Sequence, residues 1–599
     1  MVKSKILIWA AALFVAAGAL IIFLPSDQKQ PAPLLPKSDI EVMAKDIMSL
    51  GELYRGPEVN HSGTELVYTR AIEGGRGMCR IDLVSGKQEV FPHTNQILRI
   101  FGYSPDDRYL IFRDLNRGNE RLLIFDRESG LLKPAKGTRG NINEVVWLDN
   151  NSFAFTYKVE EDIEICLNTI SNDVQTTKRI PNSRSVVGMV PISSESVGYV
   201  EYGNIWSMDL QTAENAQLSK LTKADFVPGS KSNKLVAGDF MWLNYNPGNR
   251  SFLFCSSVES NWRHLYRYTP DNGTNRNLKQ LTFGEDHSYN GKWIQNGKGF
   301  AYVGNFTNHF YLAVRPENAE EKTNLFWNGH VYGFCVSSDG NKLYASASQG
   351  VEPPGIYEYD LPKKSLHRVG AGIESGFKMA KGLPRTEHWA NSFDGLRVPY
   401  FLIEPRNLDE KQKYPLVIVV PPEGNQFHNT WENYSQFFGN IGAFHAGVNP
   451  RGCEGYGDKY ANLDLTLAHK DVFAVYQELL KNPNIDRKRV YLMAYSAGSQ
   501  TIDDLFLEHP RLWQGIIIIS GMPPRPKDVS RNGARFFMFF GDKDNKNLIS
   551  KAKEFTSSAL QNKVGAELFV GANTGHVITD TRVDEQLALA LGKFIFYPR

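Results

Sequence analysis

The sequence is poor in cysteine and has no excess of charge of either sign. Its 599 residues include five cysteines, and no two of them form a CxxC pair. This spacing predicts neither a zinc site nor a redox dithiol, and the odd number argues against a dense disulfide framework while leaving room for one pair. The formal net charge is +2 and no basic run stands out, so nothing predicts nucleic acid binding. We expect no metal ion and no cofactor.

Long apolar runs are also absent, apart from one at the N-terminus. Residues 6–24 carry no charge and follow Lys3 and Lys5, and a run of about 19 residues can cross a bilayer as a helix. Small residues lie in the middle of the run rather than at its end, which favours an uncleaved anchor over a cleaved signal peptide.

The lysines should stay in the cytoplasm, which would place the rest of the chain in the periplasm or outside the cell. We therefore assign residues 1–24 to a signal anchor, a transmembrane helix, and residues 25–50 to a linker with a short helix. The remaining length is too great for a single hydrophobic core and predicts more than one domain.

Residues 51–375 have the pattern of many short strands, with apolar alternating runs separated by Gly, Asn, Asp and Ser. A turn motif recurs, as in NHSGTELVY at 60–68, YSPDDRYLIF at 103–112 and VSSDGNKLY at 336–344. Successive turns lie about 43 residues apart, which matches one four-stranded blade per repeat. The pattern predicts an all-β propeller of about seven blades; a long β-sandwich array explains the regular period less well.

Residues 376–599 alternate between strand-like and helix-like segments. This alternation predicts a parallel sheet covered by helices on both faces, as in an α/β-hydrolase domain. The strand-like runs are 414–420, 442–448, 490–493, 515–519, 535–540 and 566–570, and the clearest helix-like runs are 467–480, 502–509, 550–561 and 584–594.

Three polar residues follow strand-like runs of this part of the chain, in the order Ser496, Asp544, His576. Ser496 lies in the run AYSAG, where small residues flank the serine as a strand-to-helix elbow requires. Open α/β sheets build their sites at the carboxyl ends of strands, and Ser–Asp–His is the order found in α/β-hydrolases. The sequence therefore predicts a serine hydrolase triad, with Asp544 preferred over Asp542 as its acid.

Four further motifs give the chain beyond residue 50 a resemblance to the prolyl oligopeptidase family, in particular to its dipeptidyl-peptidase and acylaminoacyl-peptidase branches. They are SFDG at 392–395, KYPLVIV at 413–419, NPRGCEGYG at 449–457, and the run from 484 to Ser496. The resemblance implies a propeller that filters substrates by size above a C-terminal hydrolase domain.

The resemblance also implies acyl transfer. His576 takes the proton of Ser496, which attacks a carbonyl, and Asp544 fixes the histidine tautomer. One oxyanion donor should be the backbone N–H of Ala497. Gly424 or Asn425 could supply a second backbone N–H if their loop folds back over the site.

The sequence departs from the family pattern in three places. Pro421 occupies the position of the tyrosine that supplies a side-chain oxyanion donor in one branch, and proline cannot donate. The glycine pair after the nucleophile is altered to Gly498-Ser499. Ser496 and Asp544 also lie closer together than in the family, because the connection at 522–532 that helps to form the pocket before the scissile bond is short.

Three functions are compatible with these features. The first is a membrane-anchored serine peptidase that cleaves short peptides, and the second is an esterase on the same scaffold. The third is a non-catalytic propeller that binds a partner and carries a degenerate hydrolase domain. The intact triad favours the enzymes, whereas the altered oxyanion loop favours the third.

Overall fold

The structure is a computed structural model. It describes residues 30–32, 35–50, 53–91, 96–116, 119–139, 142–159, 162–171, 174–180, 186–226, 240–258, 261–270, 277–307, 309–319, 321–327, 329–349, 351–370, 379–380, 382–422, 425–427, 430–525 and 533–597. The predicted anchor at 1–24 and the predicted domain boundary at 375/376 lie outside these residues. Within them, no helix is both long enough and apolar enough to span a membrane.

The first described elements are strand β1 (Gln30–Pro31) and helix α1 (Lys37–Met48). The short helix expected in the 25–50 linker is α1. Its apolar face, which includes Ile40 and Ile47, is buried in a core that it shares with the C-terminal domain. This N-terminal helix therefore packs as part of the C-terminal domain, although the whole β-rich domain separates the two in sequence.

The β-rich domain contains seven four-stranded antiparallel units that follow one another along the described chain; the sixth and seventh are joined into one eight-stranded sheet by a parallel pairing of Phe310 with His330. The first unit consists of β2 (Leu53–Val59), β3 (Glu65–Ile72), β4 (Gly75–Asp82) and β5 (Gln88–Val90), the second of β6 (Ile97–Tyr103), β7 (Tyr109–Asn116), β8 (Asn119–Asp126) and β9 (Leu131–Arg139), and the third of β10 (Ile142–Trp147), β11 (Ser152–Val159), β12 (Asp162–Ser171) and β13 (Val174–Ile180). The fourth consists of β14 (Val187–Ser193), β15 (Ser196–Glu201), β16 (Asn204–Asp209) and β17 (Asn215–Gln217), and the fifth of β18 (Phe240–Asn246), β19 (Ser251–Ser256), β20 (His264–Tyr268) and β21 (Leu278–Gln280). The sixth consists of β22 (His287–Ile294), β23 (Gly299–Phe306), β24 (His309–Pro316) and β25 (Thr323–Leu325), and the seventh of β26 (Gly329–Val336), β27 (Lys342–Gln349), β28 (Gly355–Asp360) and β29 (Ser365–Gly370). A short helix, α2 (Lys223–Phe226), precedes β18.

The first and seventh units meet, so the series closes on itself. Strand β2 packs against β26 and β27, and a Cβ atom on Gly56 would lie only 2.6 Å from the backbone nitrogen of Phe334. The recurring turn motifs also touch, because Ser338 Oγ donates to the His61 carbonyl at 2.6 Å and the His61 N–H donates to Asp107 Oδ1 at 2.6 Å. Seven units in a closed series agree with the predicted propeller and its number of blades.

The C-terminal domain has the predicted central sheet, whose strands lie in the spatial order β30 (Thr386–Asn391), β31 (Arg397–Ile403), β33 (Phe444–Val448), β32 (Gln412–Val420), β34 (Ile485–Tyr495), β35 (Gly515–Ile519), β36 (Arg535–Gly541) and β37 (Ala566–Gly571). The pairs β30–β31 and β31–β33 are antiparallel, and the other neighbours on this path are parallel.

Helices cover both faces of this sheet, as the alternation of segments predicts. The helices are α3 (Asn433–Asn440), α4 (Asp458–Ala461), α5 (Ala468–Leu479), α6 (Gly498–Glu508), α7 (Lys546–Gln561) and α8 (Thr581–Phe596). One apolar core joins the sheet to α5, α6 and α7, and a second joins its other face to α1, α3 and α8. The C-terminal hydrolase fold is thereby confirmed.

Helices α7 and α8 begin three to four residues before the apolar periodicity indicates. Asn545 caps α7 by accepting from the Asn547 N–H, and Asp580 caps α8 by accepting from the Arg582 N–H. Side-chain caps define where a helix starts, whereas the periodicity only marks where its buried face starts. All five cysteines are buried, and none is in a disulfide.

A buried histidine makes the stability of the C-terminal domain depend on pH. His445 in β33 stacks on Phe438, with ring centroids 5.7 Å apart. Burial and the nearby charge of Arg385 lower the pKa of His445 from 6.5 to about 3. Below pH 6.5 the unfolded chain therefore takes up a proton at this histidine that the folded chain does not.

The stability from a neutral His445 is complete above about pH 6.5 and is lost as the pH falls towards 3, by up to ~1.4 kcal/mol per pH unit. We expect His445→Gln to show a shallower fall of the thermal unfolding midpoint between about pH 6.5 and 4 than the unchanged protein. Circular dichroism melts across this range measure it, and an equally steep fall in both proteins would contradict the prediction.

Candidate active site

Ser496 lies at a sharp turn between β34 and α6. Its φ is 48°, in the left-handed region that non-glycine residues seldom adopt, and its N–H donates to the Ile519 carbonyl at 2.9 Å. A Cβ atom on Gly498 would lie 2.3 Å from the Pro421 carbonyl oxygen. The turn therefore has no room for a side chain at this position, which is the reason that small residues follow the serine.

The structure brings Ser496, His576 and Asp544 into one hydrogen-bonded chain. His576 Nε2 lies 2.9 Å from Ser496 Oγ, and His576 Nδ1 lies 3.0 and 3.2 Å from the two carboxylate oxygens of Asp544. The Asp544 side chain is 4% exposed and the His576 side chain 48% exposed. A buried carboxylate behind a solvent-accessible histidine is the arrangement that holds an imidazole in the tautomer able to accept a serine proton.

Asp542, the alternative acid, has a different partner. Its Oδ1 accepts from the Thr574 N–H at 3.0 Å, while the Lys543 N–H donates to the Thr574 carbonyl at 2.9 Å. Asp542 thus ties the loop that carries His576 to the loop that carries Asp544.

The same substitution at these two aspartates should have very different effects. Asp544→Asn should lower kcat/KM by about 10⁴-fold because an amide favours the wrong histidine tautomer. Asp542→Asn keeps an oxygen that can accept from Thr574, so we expect less than about a tenfold loss. Steady-state kinetics on an activated ester compare the two variants, and a larger loss at Asp542 would reverse the assignment.

The described residues supply fewer backbone N–H donors to the oxyanion than the two that the sequence analysis expected, one from Ala497 and one from Gly424 or Asn425. Ala497 is the N-cap of α6, and its N–H has no hydrogen-bond partner among the described residues. The Asn425 N–H donates to the Pro422 carbonyl at 3.0 Å and is therefore engaged in a turn of its own loop. Gly424 lies outside the described residues.

The short connection after β35 is attached to the nucleophile helix. Ser499, which alters the expected glycine pair, accepts the Met522 N–H at 2.8 Å through its hydroxyl. Arg525 binds Asp503 and Asp504 of α6 through Nε and a terminal nitrogen, each at 2.7 Å. Residues 526–532 lie outside the described chain. Ser499 therefore has a structural role that the sequence did not indicate, which is to hold Met522 at the start of this connection.

Two cavities flank the turn that carries Ser496. The first, called here the histidine-side cavity, has a volume of ≈ 460 Å³ and is lined by Pro422, Asn425, Glu432, Tyr434, Tyr495, Ser496, Ile519, Ser520, His576, Val577, Ile578 and Asp584. The second has a volume of ≈ 290 Å³, and its lining includes Pro421, Pro422, Ala497 and Gly498. Glu432, Tyr434, Ser520 and Asp584 were not predicted from the sequence, because they carry no motif and come from separate segments of the chain.

Comparison with known proteins agrees with this geometry. Residues 429–523, which include Ser496, match the model of the prolyl oligopeptidase family. The chain carries a prolyl oligopeptidase family domain. The resemblance stated from the motifs is thereby confirmed for this part of the chain.

The wider likenesses are consistent with the same family. The uncharacterized peptidase YuxL of Bacillus subtilis (strain 168) is 23% identical over 219 residues, which make up 34% of this chain and 32% of that protein. The chain thus aligns with about a third of the length of this relative.

Two solved structures share the fold over nearly the whole chain. A puromycin-hydrolyzing peptidase of Mycobacterium tuberculosis has a TM-score of 0.74 at 11% identity and covers 95% of this chain and 97% of its own. A prolyl endopeptidase has a TM-score of 0.73 at 12% identity and covers 99% of this chain and 94% of its own. At these identities the likeness establishes the fold.

Proposed function

We propose that the protein is a serine peptidase that cleaves short peptides through an acyl-enzyme. The hydrogen-bonded chain from Ser496 through His576 to Asp544 carries the proposal. His576 Nε2, 2.9 Å from Ser496 Oγ, is within reach of the proton that the serine must lose. The names of the structural neighbours, a puromycin-hydrolyzing peptidase and a prolyl endopeptidase, support cleavage of amide bonds.

The reaction proceeds in two halves. Ser496 Oγ bonds to the substrate carbonyl carbon while its proton passes to His576, and the oxyanion receives the Ala497 N–H. His576 then gives the proton to the leaving nitrogen as the carbon–nitrogen bond breaks. Water, deprotonated by His576, releases the acyl group by the reverse sequence.

The β-rich domain is positioned to limit access to this site. The loop between β32 and α3 contributes Pro422, Asn425 and Glu432 to the histidine-side cavity, and the seventh unit contacts the same loop. Tyr332 Oη lies 2.8 Å from Thr430 Oγ1, and the Trp431 N–H donates to Ser348 Oγ at 3.2 Å. A domain fixed to the rim of the site favours short peptides over folded proteins as substrates.

An esterase on the same scaffold is the second candidate. Pro421 supplies no donor, and the Asn425 N–H is engaged with Pro422, so Ala497 is the donor that supports an oxyanion among the described residues. Esters need less stabilisation of the oxyanion than amides do. A non-catalytic partner-binding protein is disfavoured by the complete Ser–His–Asp geometry.

Labelling by a fluorophosphonate probe tests the proposal, because the probe requires an activated serine but no particular substrate. We expect labelling of the unchanged protein at Ser496. A folded protein that is not labelled would instead support the non-catalytic alternative.

The proposed location is the extracytoplasmic side of a membrane, with residues 1–24 as an uncleaved anchor. Lys3, Lys5 and the uncharged run at 6–24 support it. We expect the mature protein to keep these residues and to sediment with membranes after a carbonate wash. N-terminal sequencing of the mature protein decides the matter, and a start after residue 18 would show cleavage.

A further inference from the structure

Two serines lie side by side at the ends of neighbouring strands in the central sheet. Ser496 follows β34, and Ser520 follows β35. The two strands pair in parallel, with Tyr495 opposite Ile519, and the Ser496 N–H donates to the Ile519 carbonyl at 2.9 Å. Because adjacent strands lie about 4.8 Å apart, Ser520 is next to the nucleophile on the adjoining strand.

The Ser520 hydroxyl is buried at the candidate active site and has no partner. Ser520 is 3% exposed and lines the histidine-side cavity together with Ser496 and His576. Its Oγ has no hydrogen-bond partner among the described residues, whereas Glu432 and Asp584, the carboxylates of the described lining, each accept a hydrogen bond. Buried hydroxyls in folded proteins nearly always have a partner, so this one indicates that a small polar group binds beside it.

The backbone holds this hydroxyl in a fixed place. Ser520 has a φ of 53°, in the same left-handed region as Ser496, and its N–H donates to the Phe539 carbonyl of β36 at 2.8 Å. On the other side, a Cβ atom on Gly521 would lie 2.7 Å from the Ser496 carbonyl oxygen. A side chain in this conformation costs stability that glycine would save, which favours a role for the serine hydroxyl.

The cavity lies on the side of the substrate from which water must approach. His576 lines this cavity and not the second one, whereas Ala497 lines the second cavity and not this one. His576 gives a proton to the leaving nitrogen and then takes one from water, while the Ala497 N–H faces the oxyanion. The water of the second half-reaction therefore reaches the acyl carbon from the histidine-side cavity, where the Ser520 hydroxyl lies.

We propose that the Ser520 hydroxyl positions the water that hydrolyses the acyl-enzyme. This proposal rests on the proposed peptidase function. The water donates one hydrogen to His576 Nε2 and the other to Ser520 Oγ, so that a lone pair of its oxygen faces the acyl carbon. The bond from the water oxygen to carbon forms as His576 takes the proton. The bond from carbon to Ser496 Oγ then breaks, and His576 returns that proton to Ser496.

The kinetic test uses an activated ester that gives a burst of released phenol, the sign that loss of the acyl group is the slow half-reaction. Ser520→Ala should lower kcat by about 3- to 10-fold, as for one neutral hydrogen bond, and KM by the same factor. The ratio kcat/KM should stay within about twofold, because it depends on acylation alone. An unchanged kcat, or a fall of kcat/KM as large as that of kcat, would overturn the proposal.

Two further variants separate the hydroxyl from the fold. Ser520→Gly also lacks the hydroxyl but adopts a positive φ without strain, so it should show the same fall in kcat with a higher thermal unfolding midpoint than Ser520→Ala. It also provides the test if Ser520→Ala does not fold. The matched control is Ser557→Ala on the exposed side of α7, which should keep both kinetic constants. A kcat that recovers in Ser520→Gly would assign the effect to the backbone and contradict the proposal.

A crystallographic measurement separates this proposal from the proposed function. In crystals of the unchanged protein we expect an ordered water within about 3.2 Å of both Ser520 Oγ and His576 Nε2. The same position should lose its water in Ser520→Ala crystals. Fluorophosphonate labelling of a protein without this water would overturn the role of Ser520 alone, and the water in a protein that is not labelled would overturn the peptidase function alone.

Discussion

Replacing Ser496 by alanine should remove fluorophosphonate labelling and lower hydrolysis by at least about 10⁴-fold, and His576→Ala should do the same. The two side chains act as one unit, with 2.9 Å between His576 Nε2 and Ser496 Oγ, so loss of either removes nearly all of the rate that depends on the triad. Both variants should keep the thermal unfolding midpoint of the unchanged protein, because neither side chain belongs to an apolar core cluster.

The matched control is Ser557→Ala on the exposed side of α7, which should be labelled like the unchanged protein. Labelling that persists in Ser496→Ala would reject this serine as the nucleophile. Loss of labelling in the control variant would show that the assay reports on folding rather than on the site.

The second large effect concerns the chemistry of the scissile bond. Activated esters and anilides should be cleaved far faster than ordinary peptide bonds, and a preference for proline before the bond should be weak or absent. The absence of one oxyanion donor typically costs about 10²–10³-fold. Pro421 has no donor, and the Asn425 N–H is held 3.0 Å from the Pro422 carbonyl oxygen.

The proline preference should be weak for a separate reason. The connection that would build a deep pocket is short, and its described part is fixed to α6 through Arg525. Measuring kcat/KM on matched proline and alanine series of peptides and esters checks both expectations. Peptide rates comparable with the ester rates, together with a strong proline preference, would show that this account of the pocket is wrong.

The domain folds and the residues of the candidate triad could be predicted because each depends on local signals. Period-two runs separated by turn residues mark the β-rich units, and alternating strand-like and helix-like segments mark the parallel sheet. A strand precedes each of the three residues Ser496, Asp544 and His576. Because parallel strands end at the same edge of a sheet, the topology places these residues together at that edge. The starts of α7 and α8 were predicted too late, because their side-chain caps lie outside the apolar pattern. Asp580, which caps α8, is an example.

The classes of the two domains and the three residues of the candidate triad follow from the sequence, because alternation, turns and motif order are properties of neighbouring residues. The three-dimensional packing was needed to show that α1 packs into the C-terminal domain, that Asp544 rather than Asp542 contacts His576, and that Ser499 accepts from the Met522 N–H. It alone brought Glu432, Ser520 and Asp584 to one cavity. These relations join residues far apart in the chain, and their distances depend on how sheet, helices and loops pack, which no local pattern encodes.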